Sequence, residues 1–134
     1  MPIDQSLVGR DFDPTPPREV TEDHVRAFAE ATGGSWATGD PVPATYPIVL
    51  AFEAMNAFLE AERVELSRIV HGEQRFSYVR PLRPGDRLSA TLTVASLRQI
   101  GGNDIIGTRS TVTDEAGAEV CATTATLVHR GGEA

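Results

Sequence analysis

The chain predicts an α+β domain in which an antiparallel sheet wraps around one long central helix, and three observations predict it. Residues 46–63 form a helix-length run with apolar side chains around most of its circumference; a helix of that kind must be buried nearly all round. Residues 88–97, 105–113 and 120–129 alternate or are rich in Thr, Val and Ala, as strands with one buried face do. Phe76 and Tyr78 alternate before a turn, Pro81-Leu82-Arg83-Pro84-Gly85-Asp86, that opens into the next strand at Leu88.

The elements follow in order. Residues 1–20 carry Pro14, Pro16 and Pro17 and read as an extended lead-in with one short strand near Val20. Thr21 is a helix cap, and Glu22 and Asp23 sit in the first turn, where the helix dipole favours acids. Val25, Phe28, Ala29 and Thr32 give that helix one packed face, and Gly33-Gly34 stops it. Residues 35–45 form a loop rich in glycine and proline. Pro47 then falls in the first turn of the central helix, where its missing N–H costs nothing. Glu53, Asn56, Glu60 and Arg63 make one narrow polar stripe on that helix. Gly101-Gly102-Asn103-Asp104 and Asp114-Glu115-Ala116-Gly117 are hairpin turns that join the last three strands into a meander. Residues 131–134 read as a frayed tail, and 1–134 as a single domain.

Composition excludes several classes. The net charge is −7, and all 12 basic residues are arginine. Without lysine there is no Schiff base and no P-loop cation. The acidic balance argues against nucleic acid. Cys121 is the only cysteine, which fits a reducing cytoplasm. No apolar run reaches the roughly 18 residues of a membrane span, and residues 1–5 do not form a secretory signal. No metal-ligand spacing occurs, and no cofactor is expected. Arg75, Arg80, Arg83 and Arg87 lie close in sequence, either as solvated strand edges or as a patch for coenzyme or carrier phosphates.

Strand, proline-bracketed turn and strand after a buried helix resembles the hotdog fold. His71-Gly72-Glu73-Gln74-x-Phe76-x-Tyr78-x-Arg80-Pro81-Leu82-x-x-Gly85-Asp86 resembles, more narrowly, the MaoC-like dehydratases and hydratases of acyl thioesters. Asp4–Arg10, Phe28-Ala29-Glu30-Ala31, Gly102-Asn103-Asp104 and Asp114–Gly117 extend the likeness over nearly the whole chain. They resemble an actinobacterial subgroup that includes the substrate-binding (HadA-type) subunit of 3-hydroxyacyl-carrier-protein dehydratase.

Catalytic members of that family carry Gly-Asp-x-Asn-Pro and, about five residues after the aspartate, a histidine. The resemblance implies that this pair handles the carbon-2 proton and the hydroxyl, while the helix N-terminus polarises the thioester carbonyl. Here the loop reads Gly39-Asp40-Pro41-Val42-Pro43-Ala44, and no histidine lies between His24 and His71. The loop also looks shorter than in relatives. Asp40 is the surviving acid or base candidate, and the alternative is a plain Gly-Asp-Pro turn. His71 is either near the thioester channel or a hydrogen-bonded strand end. Glu53 is a candidate by likeness to thioesterases that use a helix carboxylate. Thr45, Tyr46, Val49, Phe52, His71 and Gly72 are the expected substrate-binding residues. His24 and His129 are expected to be solvated, and Cys121 to be a small core residue.

The resemblance therefore implies a MaoC-like dehydratase or hydratase module for fatty acyl or polyketide thioesters on coenzyme A or acyl carrier protein. Lacking the Asp-x4-His pair, the chain reads as the degenerate subunit that shapes the acyl pocket. It would act in a dimer, with itself or with a pair-bearing hotdog partner. Two alternatives stand beside this: a homodimeric enzyme of altered chemistry using Asp40, His71 or Glu53, and a non-enzymatic acyl-thioester binder.

Overall fold

Alternation in the C-terminal half builds the sheet on which everything else is placed. In the computed structural model, which describes residues 4–131, β3 (Arg87–Ile100), β4 (Asn103–Thr113) and β5 (Glu119–His129) form the expected antiparallel meander. Gly101 (φ 59°) and Gly102 (φ 82°) both occupy the left-handed region that a two-residue hairpin turn demands. Because two glycines suffice for the turn, Asn103 and Asp104 enter the ladder opposite Ile100 and Gln99 instead of remaining in the loop.

β2 (Ile69–Tyr78) follows the helices but does not pair with β3, its successor in the chain. It runs antiparallel to β5, and with β1 (Arg18–Glu19) the sheet order is β1-β3-β4-β5-β2. The strand, turn and strand around Pro81 and Pro84 are therefore a crossover at the end of the sheet. Two prolines without N–H groups cannot continue a ladder, and Arg80 pins the crossing segment. Its guanidinium donates to both Asp86 oxygens (3.0 and 3.2 Å) and lies 3.7 Å from Asp114 in the β4–β5 turn.

The lead-in closes the opposite edge. The amides of Gly9, Phe12 and Thr15 donate to the carbonyls of Val94, Leu92 and Ala90 on β3. Pro14, Pro16 and Pro17 interrupt this pairing, and the Thr15 hydroxyl accepts from the Ala90 amide (2.9 Å) to make up one missing bond. An edge covered in this way offers no template for aggregation.

Two helices complete the fold. Thr21 caps α1 (Glu22–Ala31) by accepting from the His24 amide (3.1 Å). α2 (Ile48–Ala61) is shorter than expected at both ends, because Pro47 is its cap residue and Arg63 turns left-handed at φ 56°. Leu50, Ala54, Met55, Phe58 and Leu59 press into the core with Leu88, Leu92, Val94, Ile106 and Leu127 from the sheet. Burying each of the larger of these side chains is worth about 1.5–3 kcal/mol.

The helix is not enclosed all round, contrary to its composition. Phe52 is 42% exposed, and Asn56, Ala57, Glu60 and Ala61 are also exposed. A single sheet covers one side of a helix, and the opposite face needs a second layer. Residues 1–3 and 132–134, part of the predicted lead-in and tail, lie outside the described residues. Gly131 is not frayed, since its amide donates to Asn103 Oδ1 (3.3 Å). Among the described residues no helix is long and apolar enough to cross a membrane.

Burial alone would raise the Asp86 carboxyl. The Arg80 hydrogen bonds, the Arg83 amide and the two arginine charges outweigh it and hold Asp86 below its ordinary value of 3.8. A carboxylate depressed by folding stabilises above its unfolded value, and that contribution disappears as the pH falls through the folded one. Asp86→Asn should therefore cost about 1–3 kcal/mol at neutral pH. In urea unfolding the penalty should shrink steadily once the pH drops below about 4.

Candidate functional site

The face of α2 that meets the sheet does not fit it completely. Ala51, Phe52 and Met55 leave a cleft over His71 and Gln74 of β2, Leu92 of β3, Thr108 and Ser110 of β4, and Thr123 and Ala125 of β5. About 230 Å³ of unfilled space lies here, but much of it is open solvent, and the enclosed room is small. Most of the wall is apolar. Among the described residues His71 is the only titratable side chain in it.

A β-bulge aims the β2 side chains. His71 pairs with Leu127 and Glu73 with Thr126, so Gly72 is the extra residue between them. In a regular strand positions 71 and 74 would face opposite sides. The bulge puts both into the cleft, a re-aiming for which bulges recur beside functional sites. The His71 ring lies 5.6 Å from that of Phe52, which closes one side of the mouth.

Of the expected substrate-binding residues, Phe52 and His71 meet at this cleft and Gly72 supplies its bulge. The others lie elsewhere. Thr45 is exposed in the turn before α2. Val49 is partly buried against the core, and Tyr46 is 1% exposed within it. The Tyr46 hydroxyl sits 2.5 Å from His24 Nδ1, and its ring packs edge-on against Phe28. His24 is therefore half-buried and paired, not solvated, because α1 docks across the start of α2. Burial and the nearby Arg18 charge push the His24 pKa down, and burial pushes the Tyr46 hydroxyl up.

The loop before α2 is tightly folded. The Trp36 indole N–H donates to the carbonyls of Asp40 and Pro41, both at 3.1 Å. Asp40 Oδ2 accepts from the Ala37 amide (3.0 Å), closing a turn on the surface, and Asp40 is not among the cleft residues. The Tyr78 hydroxyl donates to the Ala44 carbonyl and ties the loop to β2. Burial first, and then the neighbouring Cys121, push that hydroxyl up to about 12.

The helix start offers little to an anion. The amides of Ile48, Val49 and Leu50 already donate to the carbonyls of Thr45, Tyr46 and Pro47. Glu53 points away from the cleft toward Arg18, 4.0 Å distant. Its Oε1 is enclosed without a hydrogen bond.

The four clustered arginines are largely committed. Arg75 pairs with Glu73 (2.7 Å), Arg80 with Asp86, and Arg87 with Glu115 (3.8 Å). Sequence reasoning missed one buried pair: His129 Nδ1 lies 3.0 Å from Asp104 Oδ2, directly across the β4–β5 ladder. His129 is thus buried rather than solvated. The signal was its register opposite Asp104, which no local motif reveals. Cys121 is buried in β5, and burial raises its thiol pKa. No group of three or more His, Cys, Asp or Glu able to hold a metal occurs among the described residues.

A curled five-stranded antiparallel sheet of this order, packed around one helix with a cleft beneath it, defines a hotdog protein. The chain belongs to the FAS1-like, dehydratase domain region family, whose model matches residues 6–123. It is 41% identical to a UPF0336 protein of Streptomyces coelicolor over 148 aligned positions that cover 99% of each chain. A UPF0336 protein of Saccharopolyspora erythraea is 37% identical, with 98% of this chain and 94% of the relative covered. Among solved structures, it is similar to the HadBC complex, a 3R-hydroxyacyl-ACP dehydratase of Mycobacterium tuberculosis. That match has 26% identity and a TM-score of 0.78, over 91% of this chain and 96% of that one. The monoamine oxidase regulatory protein of Archaeoglobus fulgius, 16% identical with a TM-score of 0.78 over 98% and 97% of the two chains, shares the fold.

Because folding lowers the His24 pKa, its neutral form stabilises the protein fully above the unfolded value of 6.5. That contribution is lost as the pH falls through the folded value. Proton NMR should find the His24 midpoint below 6.5, and Arg18→Gln should move it upward by removing the repelling charge.

Proposed function

We propose that this chain is the acyl-binding subunit of a MaoC-like 3-hydroxyacyl-thioester dehydratase, a degenerate HadA-type hotdog domain paired with a subunit that carries the Asp-x4-His pair. The reaction is reversible loss of water, with the carbon-2 proton and the carbon-3 hydroxyl leaving to give the trans-2-enoyl thioester. One observation carries this reading: the cleft holds His71, with neutral polar and apolar side chains around it and no carboxylate among its lining residues. Elimination needs a base for carbon 2 and an acid for the departing hydroxyl, so a second subunit must complete the site. The similar M. tuberculosis complex is a 3R-hydroxyacyl-ACP dehydratase, which fits the same chemistry.

The unpaired long edge of β2 supports association. Val70 (47%) and Tyr78 (39%) on the strand, and Val79 (68%) just after it, are exposed, as is Phe52 on the open face of α2. A ten-residue edge strand with apolar neighbours is a surface that another chain covers. A second hotdog copy, the same or pair-bearing, would continue the sheet and cover the helix. The carrier is coenzyme A or acyl carrier protein, and the setting is the cytoplasm.

Hydration of trans-2-enoyl thioesters tests the assignment. The purified chain alone should give no turnover, and a pair-bearing hotdog partner should restore it while the two chains sediment together. Turnover by this chain alone, lost in Asp40→Asn, His71→Asn or Glu53→Gln, would instead make it an enzyme with a rebuilt site. Ligand binding without turnover in either setting would make it a binder.

A further inference from the structure

The free edge of β2 carries one acid and one base, set symmetrically about its middle. Glu73 and Arg75 flank Gln74 in the ten-residue strand. Both point to the sheet face away from α2: they oppose Thr126 and Thr124 of β5, whereas the cleft is lined by Thr123 and Ala125. Their side chains pair within the strand (2.7 Å) and remain exposed. Among the described residues β5 covers one edge of β2, and no strand covers the other.

We infer that this edge takes a second copy of the same chain, paired antiparallel about a two-fold axis at Gln74. The inference goes beyond the acyl-binding reading and does not depend on it. A copy that continues the curled sheet, with its helix on the same side, is related by an axis normal to the sheet. Residues directly opposite in an antiparallel pair share a face, so that axis passes through a residue and not between two. An axis at Glu73 would set this acid against its own counterpart, and one at Arg75 would do the same with the base. At Gln74 each Glu73 faces the Arg75 of the other copy. Opposite charges directly across a pair stabilise it, and like charges destabilise it. Two acids and two bases then alternate around the axis, so the edge is complementary to itself in this register and not in its neighbours.

The same register gives the cleft another wall. Phe76 opposes Thr123 and so shares the cleft face. Gly72 is the extra residue of the bulge, so counting outward from the axis brings Phe76 of the second copy opposite His71. Each copy thus places a phenyl ring beside the other's histidine. A pair-bearing subunit would compete for this edge; in its absence the chain's own copy is the occupant.

Two charge variants of the full chain test the pairing by sedimentation. Wild type should be a dimer. Glu73→Arg alone and Arg75→Glu alone set like charges across the axis, and each should dimerise about tenfold more weakly. An equimolar mixture of the two restores opposite charges between chains but not within either, and should recover the wild-type affinity. Oxidative cross-linking reads the register, since the lone Cys121 is buried. Gln74→Cys should link to its counterpart, because residues facing across a pair lie within disulfide reach. Glu73→Cys and Arg75→Cys, displaced along the strand from their counterparts, should not. Charge variants that dimerise normally, a mixture that recovers nothing, or faster linking at 73 or 75 would each overturn the inference. A monomeric wild type would also overturn it, while leaving the acyl-binding reading intact, because a pair-bearing subunit could still take the edge.

Discussion

One constraint governs this molecule: α2 is too apolar to be left in water and too round to be covered by one sheet. Its inner face, from Leu50 through Ala54 to Phe58, seats against the curled sheet and anchors the core. The outer face, with Phe52, Asn56 and Glu60, remains open. Both the cleft and the expectation of a second subunit arise from this mismatch. Where the helix turns from the covered to the open side, Ala51, Phe52 and Met55 overhang the strands without filling the gap.

The polar groups are arranged around that core so that little is left unmet. Arg80 joins the crossover to the β4–β5 turn through Asp86 and Asp114, using in structure a cation that a sequence reading can offer to phosphates. Thr15 substitutes for a backbone partner where prolines break the edge pairing. Trp36 and Tyr78 hold the loop before α2 through carbonyls of Asp40, Pro41 and Ala44. Among the described residues, the enclosed side-chain atoms without a hydrogen bond are Glu53 Oε1 and Gln74 Nε2.

The elements were legible because each carries a local signature. Thr21 announces a helix start, Gly101-Gly102 a hairpin, and the alternation from Leu88 onward a half-buried strand. Sheet order was not legible from these patterns, since periodicity records which face is buried and not which neighbour covers the edge. Hence β2 lies beside β5 and not beside β3. Of the residues singled out in the sequence, His71, Gly72 and Phe52 fall at the cleft, while Tyr46 is hydrogen-bonded to His24, a residue on another element. The environments of His129 and Gln74 depend on strand register and on a bulge, both settled only once distant segments meet.

That sheet order also dictates a sequence of events in time. β2 leaves the ribosome before β3, β4 and β5, yet its sole partner within the chain is the last of these, with Ile69 waiting for His129. Until β5 is made, both edges of β2 are open, and Val70 and Val79 are on display. The meander can form from near neighbours, but closing β2 onto it joins residues far apart in the chain, a slow kind of step. The nascent protein therefore passes through a stage in which its most adhesive strand is unclaimed, the stage at which chaperones act and aggregation begins.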